Sequence, residues 1–331
     1  MKGFLAGRLL VEAGARLGIP VTIEPEFGYV GRIALPDGRV SYFRNTNFDL
    51  NGQGSAEIAR DKAYAAAFLA QRGYRVPEGQ TFFAPRMLRW SGATRDAAAA
   101  QTYARGRGYP VIVKPNNGSQ GRDVARVYNG RELAIALRAI FARENVALVQ
   151  PPAPGDDYRF VVLDDTLVCA YRRRPLAVVG DGAASIGALL ERKHAAFAAS
   201  GRDTTVPLGD PRIAATLRRQ GRDLATVPPP GERVELLANA NLSTGGEAVD
   251  VTGEVHPAMA ALAIGVTRAL GLRHSGVDVL TPDPISGPPG RYVVLEANPA
   301  PGLDHYAHLG PEQYAVVAAL YERILRAIVG L

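Results

Sequence analysis

Two short stretches near the C-terminal end constrain the fold most: Gly276-Val277-Asp278-Val279 and Val294-Leu295-Glu296-Ala297-Asn298. Each reads as a strand, and alternation along the second sends Glu296 and Asn298 to one face. Asp278 can join them from the neighbouring strand. Two carboxylates and an amide oxygen are hard ligands of the kind Mg²⁺ takes alongside substrate phosphates. The alternative is a solvated strand end carrying ordinary surface acids. Apolar residues flank both acids, which implies strands that are otherwise buried and weighs against that alternative.

A second constraint lies in the basic residues. Lysine and arginine together number 38, yet lysine occurs only at Lys2, Lys62, Lys114 and Lys193. A codon preference for arginine accounts for the bias itself. A lysine that survives it marks a candidate position where a compact ammonium does what a planar guanidinium does not. Lys114 ends an apolar strand over 109–113 and is followed by Pro-Asn-Asn-Gly-Ser-Gln-Gly. Such a lysine reaches phosphate oxygens, while Gly118 and Gly121 let backbone N–H groups close over them. This is no Walker A loop, because the Gly-Lys-Ser/Thr order is missing and no helix follows directly. A plain β-turn with a surface lysine is the competing reading. Downstream, Ala147-Leu-Val-Gln150 leads into Pro151-Pro-Ala-Pro-Gly-Asp-Asp157. A strand edge and a proline-held connector offer backbone groups to a planar base, with Asp157 placed to take ribose hydroxyls; a simple linker is the alternative.

With 331 residues the chain is long enough for two or three packing units. Its 47% hydrophobic and 21% charged content is that of a globular protein and argues against disorder or fibrous structure. Helix and strand signals alternate in an α+β layout: an N-terminal α/β lobe over 1–85, a central segment over 86–151 and a C-terminal segment over 152–331. Helices are predicted at 4–17, 55–71, 95–105, 131–142, 184–199, 257–270 and from 311 onwards, with a polar stretch before the prolines at 228–230. Cys169 is the only cysteine, which excludes an intramolecular disulfide and a cysteine-rich zinc site and fits a reducing cytoplasm. Arg8, Glu12 and Arg16 interrupt the first apolar residues, so no signal peptide is expected. No stretch has the roughly 18 apolar residues that a membrane helix needs. The net charge of +6 invites nucleic acid, but the basic residues are spread along the chain without a dense tract or aromatic interleaving. Neither nucleic acid nor a membrane is an expected partner.

Further segments carry a family likeness: Pro154-Gly-Asp-Asp-Tyr-Arg-Phe160, Val178-Val-Gly-Asp-Gly182, Ala238-Asn-Ala-Asn-Leu-Ser-Thr-Gly-Gly246, Asp250-Val-Thr-Gly-Glu-Val-His-Pro257 and Glu296-Ala-Asn-Pro-Ala-Pro-Gly302. Together with Lys114 and its glycine-rich turn, their order resembles that of the ATP-grasp ligases. The likeness is nearest to the ATP-grasp half of cyanophycin synthetase, and next to glutathione-synthetase-like ATP-grasp enzymes. It runs from near Arg8 to the C-terminus, and Asn-Leu-Ser-Thr-Gly-Gly is its most specific part. It implies an ATP-grasp fold of three lobes with the nucleotide held between two α+β lobes. Residue by residue, it implies Lys62 and Lys114 on ATP phosphates, with Lys114 beneath a lid at 116–122. Asn116, Gly118, Ser119 and Gly121 of that lid would line the nucleotide, Gln150 would meet adenine and Asp157 the ribose. Asp278, Glu296 and Asn298 would hold two magnesium ions. Arg159 and Arg173 match arginines suited to phosphate or carboxylate, and with Lys114 they are the expected catalytic groups. Asn241, Ser243, Thr244 and Gly245, with Gly302 and Asp304, are expected on the substrate side.

The chain departs from the family pattern in three places. Gln150 stands where glutamate is usual, although an amide still pairs with the adenine amino group. Asp304 follows Gly302-Leu303 where cyanophycin synthetase carries a basic residue. The sequence also ends where a fused Mur-ligase-like half would begin and lacks an additional N-terminal domain, so alternating two-amino-acid polymerisation by this chain alone is not expected. The expected reaction joins a carboxylate to an amine as a peptide or isopeptide bond, through an acyl phosphate, with ADP and phosphate released. Amino acids, short peptides or other small molecules are the expected substrates, and a homodimer is common among such ligases. The competing readings are a non-catalytic ATP- or peptide-binding protein of the same fold, and a basic nucleic-acid-binding protein. His256, before Pro257, is expected to cap a helix. His305 and His308 stand beside the substrate loop, and their three-residue spacing is weak evidence for a metal.

Overall fold

The structure is a computed structural model and describes residues 4–118, 121–199, 204 and 209–331. The chain forms two compact units, each drawn from separated stretches. Residues 1–76, 158–172 and 250–331 make up the first unit, and residues 77–157 and 173–249 the second.

In the first unit, helix Leu5–Leu17 turns Leu5, Leu9, Leu10 and Ala13 to one buried face. It packs beside the C-terminal helix Pro311–Val329, and Arg16 pairs with Glu322 across the two at 3.0 Å. Strands Val21–Ile23, Val30–Ala34, Val40–Arg44 and Asn47–Phe48 form an antiparallel sheet in that order. Where the spacing predicts one helix over 55–71, the chain makes two, Gln53–Arg60 and Lys62–Gln71. The break is at Asp61, whose backbone is extended (φ −85°, ψ 104°) and whose carboxylate accepts from the Tyr64 N–H at 2.9 Å. A capping acid offers the backbone an alternative to helical hydrogen bonds. The result places Lys62 at the first position of a new helix. A second sheet carries strands Thr166–Arg174, Asp156–Leu163, His274–Thr281 and Val293–Asn298 side by side in that order. Helix Pro257–Ala269 packs on it through Met259, Ala263 and Val266.

Among the described residues the second unit has two cores. In one, strands Gln80–Phe83, Val146–Gln150, Val111–Pro115 and Ala125–Val127 pair antiparallel in that order. Helices Ala97–Arg107 and Gly130–Phe141 cover one face of this sheet, where Val111, Val113, Ala147 and Val149 meet Leu133, Leu137 and Ile140. Asp96 and Asn129 cap the two helices, and Glu132 reaches back to the Tyr128 N–H at 3.0 Å. The other core gathers Leu176, Val178, Ile186, Leu190, Ile213, Leu217, Val234 and Leu236. It is built from the paired strands Ala177–Val179 and Arg233–Glu235 with helices Ile186–Ala199 and Pro211–Arg219. The last of these helices lies inside the stretch that the sequence presents as polar. Asp210 caps it and Pro211 opens it, but only Ile213 and Leu217 are buried, so the apolar signal is thin.

The capped break makes one prediction. Asp61→Ala should lower stability by about 1 kcal/mol, read from urea unfolding. A second concerns His274, which is fully enclosed with its Nδ1 bonded to the Val162 carbonyl at 2.8 Å. Burial pushes its pKa down from 6.5 to about 4. Between those values the unfolded chain binds a proton that the folded chain refuses, so this contribution to stability is lost as pH falls from 6.5 towards about 4. His274→Gln should flatten that part of the curve of urea midpoint against pH.

Candidate active site

In the first unit, Asp278 lies opposite Glu296, and Gly276 opposite Asn298, on paired antiparallel strands. Residues directly opposed across such a pair share a face. Asp278, Glu296 and Asn298 therefore project together, as alternation predicts. Arg159 reaches the same face from the adjacent strand Asp156–Leu163. Its Nε donates to Asp278 Oδ1 and its Nη2 to Oδ2, the second at 2.8 Å. Both side chains are buried, at 8% and 2% exposure. Gly276 makes the room: a Cβ there would stand 2.8 Å from Arg159 Cδ and 2.9 Å from Nη1. Lys62 Nζ lies 3.1 Å from Glu296 Oε2, so each acid of the face has a cation beside it. Asn298 Oδ1 accepts from the Ala300 N–H at 3.1 Å and begins the turn that follows. Two carboxylates and an amide oxygen are a donor set that fits Mg²⁺. Among the described residues no group of three or more His, Cys, Asp or Glu side chains forms a metal site. An ion at this face would therefore take two carboxylates, the amide and oxygens from a substrate.

In the second unit, Lys114 stands opposite Leu148, and Ile112 opposite Gln150. These four share one face of their sheet, while the intervening Val111, Val113, Ala147 and Val149 pack beneath the helices. The alternation that seals the core thus turns Lys114 and Gln150 to the other side. Both are still buried, at 7% and 4% exposure, as is Asn116. The Asn116 N–H donates to the Val146 carbonyl at 3.0 Å and carries the chain into Gly118. Ser119 lies outside the described residues. Gly121 has φ +66°, and a Cβ on it would stand 2.4 Å from Asn241 Oδ1 and 2.6 Å from Asn239 Nδ2. The glycine-rich turn and the 241–246 loop, which the sequence keeps far apart, therefore meet. Within that loop Leu242–Thr244 makes one 3₁₀ turn ended by Gly245, with Ser243 at its middle. Asn239 donates to Asn241 Oδ1 and Thr244 Oγ1, at 3.2 and 3.3 Å, and the Thr244 hydroxyl donates to the Asn241 carbonyl at 3.0 Å. Asp157 and Arg173 hold each other, with Nη2 on Oδ1 at 2.7 Å and Nε on the same oxygen at 3.1 Å.

Gly302 and Asp304 belong to the first unit, where Asp304 opens the single-turn helix Asp304–Ala307. His308 Nδ1 bonds back to the Asp304 carbonyl at 2.6 Å. His256 caps its helix, with Nδ1 accepting from the Ala258 N–H at 3.1 Å. Burial pushes the Cys169 thiol up to about 12, so it is an inert core side chain. Two features escape the sequence. Lys193 donates to the Ala177 carbonyl at 2.7 Å and pairs with Glu247, the residue after the 241–246 loop. Asp250 gathers Thr252, Tyr306 and Gln313 around its carboxylate. Its segment is one of those that carry the family likeness, but the only local signal for this gathering is an acid two residues before a threonine, a common turn pattern.

Taken together, these sheets, loops and paired strands have the ATP-grasp fold. The chain is similar to the bifunctional glutathione synthetase of Pasteurella multocida, with a TM-score of 0.61 at 25% identity, over 97% of this chain and 44% of that one. It is also similar in fold to a D-alanine–D-alanine ligase from Bacillus anthracis, with a TM-score of 0.51 at 15% identity, over 85% of this chain and 69% of that one. In sequence it is 33% identical over 267 residues to a cyanophycin synthetase from Geminocystis herdmanii, covering 78% of this chain and 29% of that protein. It is 29% identical over 271 residues to the glutathione biosynthesis bifunctional protein of Pasteurella multocida, covering 78% of this chain and 34% of that protein. The chain spans only a minor part of the length of these curated relatives. No protein-family model matches it. Among the described residues no helix is long and apolar enough to cross a membrane.

The buried ion pair can be tested directly. Arg159→Ala leaves Asp278 enclosed without its cation and should cost about 3–5 kcal/mol of stability. Arg159→Ala combined with Asp278→Ala should lose less than the two single changes added together, in urea midpoints measured at constant slope.

Proposed function

We propose that this chain is an ATP- and Mg²⁺-dependent ligase that joins a carboxylate to an amine. The observation that carries this reading is the strand face with Asp278, Glu296 and Asn298, flanked by Arg159 and Lys62, within an ATP-grasp fold. A carboxylate is a poor electrophile at neutral pH. In the first step its oxygen takes the γ-phosphoryl group, the bond to the bridging oxygen breaks, and ADP leaves. In the second step the amine nitrogen attacks the acyl carbon, phosphate departs, and the nitrogen gives up a proton to form the amide. Phosphoryl transfer of this kind depends on positioning and charge stabilisation.

Lys62 and Lys114 take phosphate oxygens, and the turn with Asn116, Gly118, Ser119 and Gly121 closes over them to exclude water, which would hydrolyse the acyl phosphate. The Gln150 amide oxygen accepts from the adenine amino group. Asp157, held by Arg173, takes the ribose hydroxyls, while Arg159 and Arg173 face the transferred phosphoryl group or the carboxylate. When bound, magnesium neutralises charge on the β- and γ-phosphates; Asp278, Glu296 and Asn298 would hold two such ions. Asn241, Ser243, Thr244 and Gly245 line the substrate side with Gly302, and Asp304 pairs with a cationic group of the amine substrate. Similar proteins are named for glutathione synthesis and for D-alanine–D-alanine ligation, which supports amino acids or short peptides as substrates. The same reading makes the chain a cytoplasmic enzyme, with a homodimer as the assembly to look for by light scattering.

A non-catalytic ATP- or peptide-binding protein has no need of both lysines and a complete metal-binding face, which favours the ligase. The test is an ADP-release screen of paired carboxylates and amino acids, with mass detection of the dehydrated product. Glu296→Gln should lower turnover by about a hundredfold or more in a protein that remains folded. Near-normal turnover in that variant would remove the metal-site assignment.

A further inference from the structure

Asp250 ends strand Glu247–Asp250, and its carboxylate collects four hydrogen bonds. Oδ1 accepts from the Thr252 N–H at 2.9 Å and lies 2.6 Å from the Thr252 hydroxyl. Oδ2 accepts from the Tyr306 hydroxyl at 2.9 Å and the Gln313 amide at 2.7 Å. One carboxylate thus ties together the 250–252 turn, the single-turn helix Asp304–Ala307 and the first turn of helix Pro311–Val329. Burial works to raise its pKa, but the hydrogen bonds from Thr252, Gln313 and Tyr306 outweigh it and hold the acid below its ordinary value. The anchor stays ionised.

What it anchors gives it a role. Helix Asp304–Ala307 has four residues, too few to persist without outside support. It follows directly on the turn that leaves Asn298. Upstream, that turn is pinned by Asn51 on the Pro299 carbonyl at 2.8 Å, by Thr46 on the Ala300 carbonyl at 2.9 Å and by Asn298 on the Ala300 N–H. Downstream, Tyr306 is buried and stacks on Tyr171 with ring centroids 5.3 Å apart, and its hydroxyl ends on Asp250. Gly302, Leu303 and Asp304 lie between the two anchors. Stacking on Tyr171 sets the plane of the Tyr306 ring, and the hydroxyl bond to Asp250 sets its position along that plane. Asp304 is two residues away on the same turn, so a shift of Tyr306 moves it.

We infer that Asp250 is a positioning residue for the amine substrate: acting through Tyr306, it sets the place of residues 302–304 and of the Asp304 carboxylate. The inference rests on the ligase reading, so the test separates the two. Free amino acids serve as both carboxylates and amines, and hydroxylamine serves as a small nucleophile that traps the acyl phosphate without needing the amine-substrate site. In Asp250→Asn and in Tyr306→Phe, hydroxamate formation and the KM for ATP should stay within about twofold of wild type, while the KM for the amino-acid amine rises about tenfold, the scale of one hydrogen bond to a charged group. In the double variant the rise should fall short of the product of the two single effects, because both act through one contact. If Asp250→Asn fails to fold, Tyr306→Phe, which keeps the stacked ring, decides alone. An unchanged amine KM with normal hydroxamate formation overturns the assignment and leaves ligation standing. Equal loss of hydroxamate and amide formation marks a general structural role and also overturns it. No hydroxamate from the wild-type protein with any carboxylate overturns the ligase reading, and this assignment with it.

Discussion

The Arg159–Asp278 pair determines what the paired strands can carry. A carboxylate at 2% exposure survives only if a partner replaces its water, and the guanidinium fork does so with two parallel N–H groups. That geometry brings the arginine stem close against the neighbouring strand, at a point where a side chain would collide with it. Gly276 supplies the space. Once Asp278 is neutralised from one side, Glu296 can stand opposite it on the same face with Lys62 as its own counter-charge. Two acids that would repel each other as a bare pair become a balanced group of four.

Much of what each of these sheets carries is legible in the sequence because strand alternation is local. The spacing of Glu296 and Asn298 fixes their common side wherever the strand lies, and the matching period on 111–115 and 146–150 separates Lys114 and Gln150 from the core. Long helices with clean apolar periods, such as Leu5–Leu17, Gly130–Phe141 and Pro311–Val329, are legible for the same reason. What stays hidden depends on partners distant in the chain or on competition between two local rules. The alanine-rich run after Asp61 reads as continuous helix, and only the capping geometry shows that the acid ends one helix and starts another. Helix Pro211–Arg219 has too few buried residues to stand out from its arginines. The meeting of Gly121 with Asn239 and Asn241, and the gathering of Tyr306 and Gln313 at Asp250, leave no periodic trace at all.

The scarce lysines acquire a common feature. Lys62 lies against Glu296, Lys114 is buried at the end of its strand, and Lys193 joins the Ala177 carbonyl to Glu247. Lys2 lies outside the described residues. Each described lysine places a compact three-donor ammonium within a confined site, where the broad fork of arginine would need more room. The bias toward arginine therefore shapes the surface, and the exceptions fall where volume is limited.

The interleaving of the two units has a consequence for how the chain is made. The second unit is complete once residue 249 has emerged during synthesis, whereas the first needs its opening 76 residues, a short middle stretch and everything from residue 250 onwards. Strands His274–Thr281 and Val293–Asn298 bring the acids and the glycine that Arg159 requires, and they are translated late. Until then the arginine lacks Asp278 and helix Leu5–Leu17 lacks helix Pro311–Val329. Closure of the first unit must therefore follow synthesis of its last stretch, residues 250–331, and its contacts, remote in sequence, make that closure the slower event.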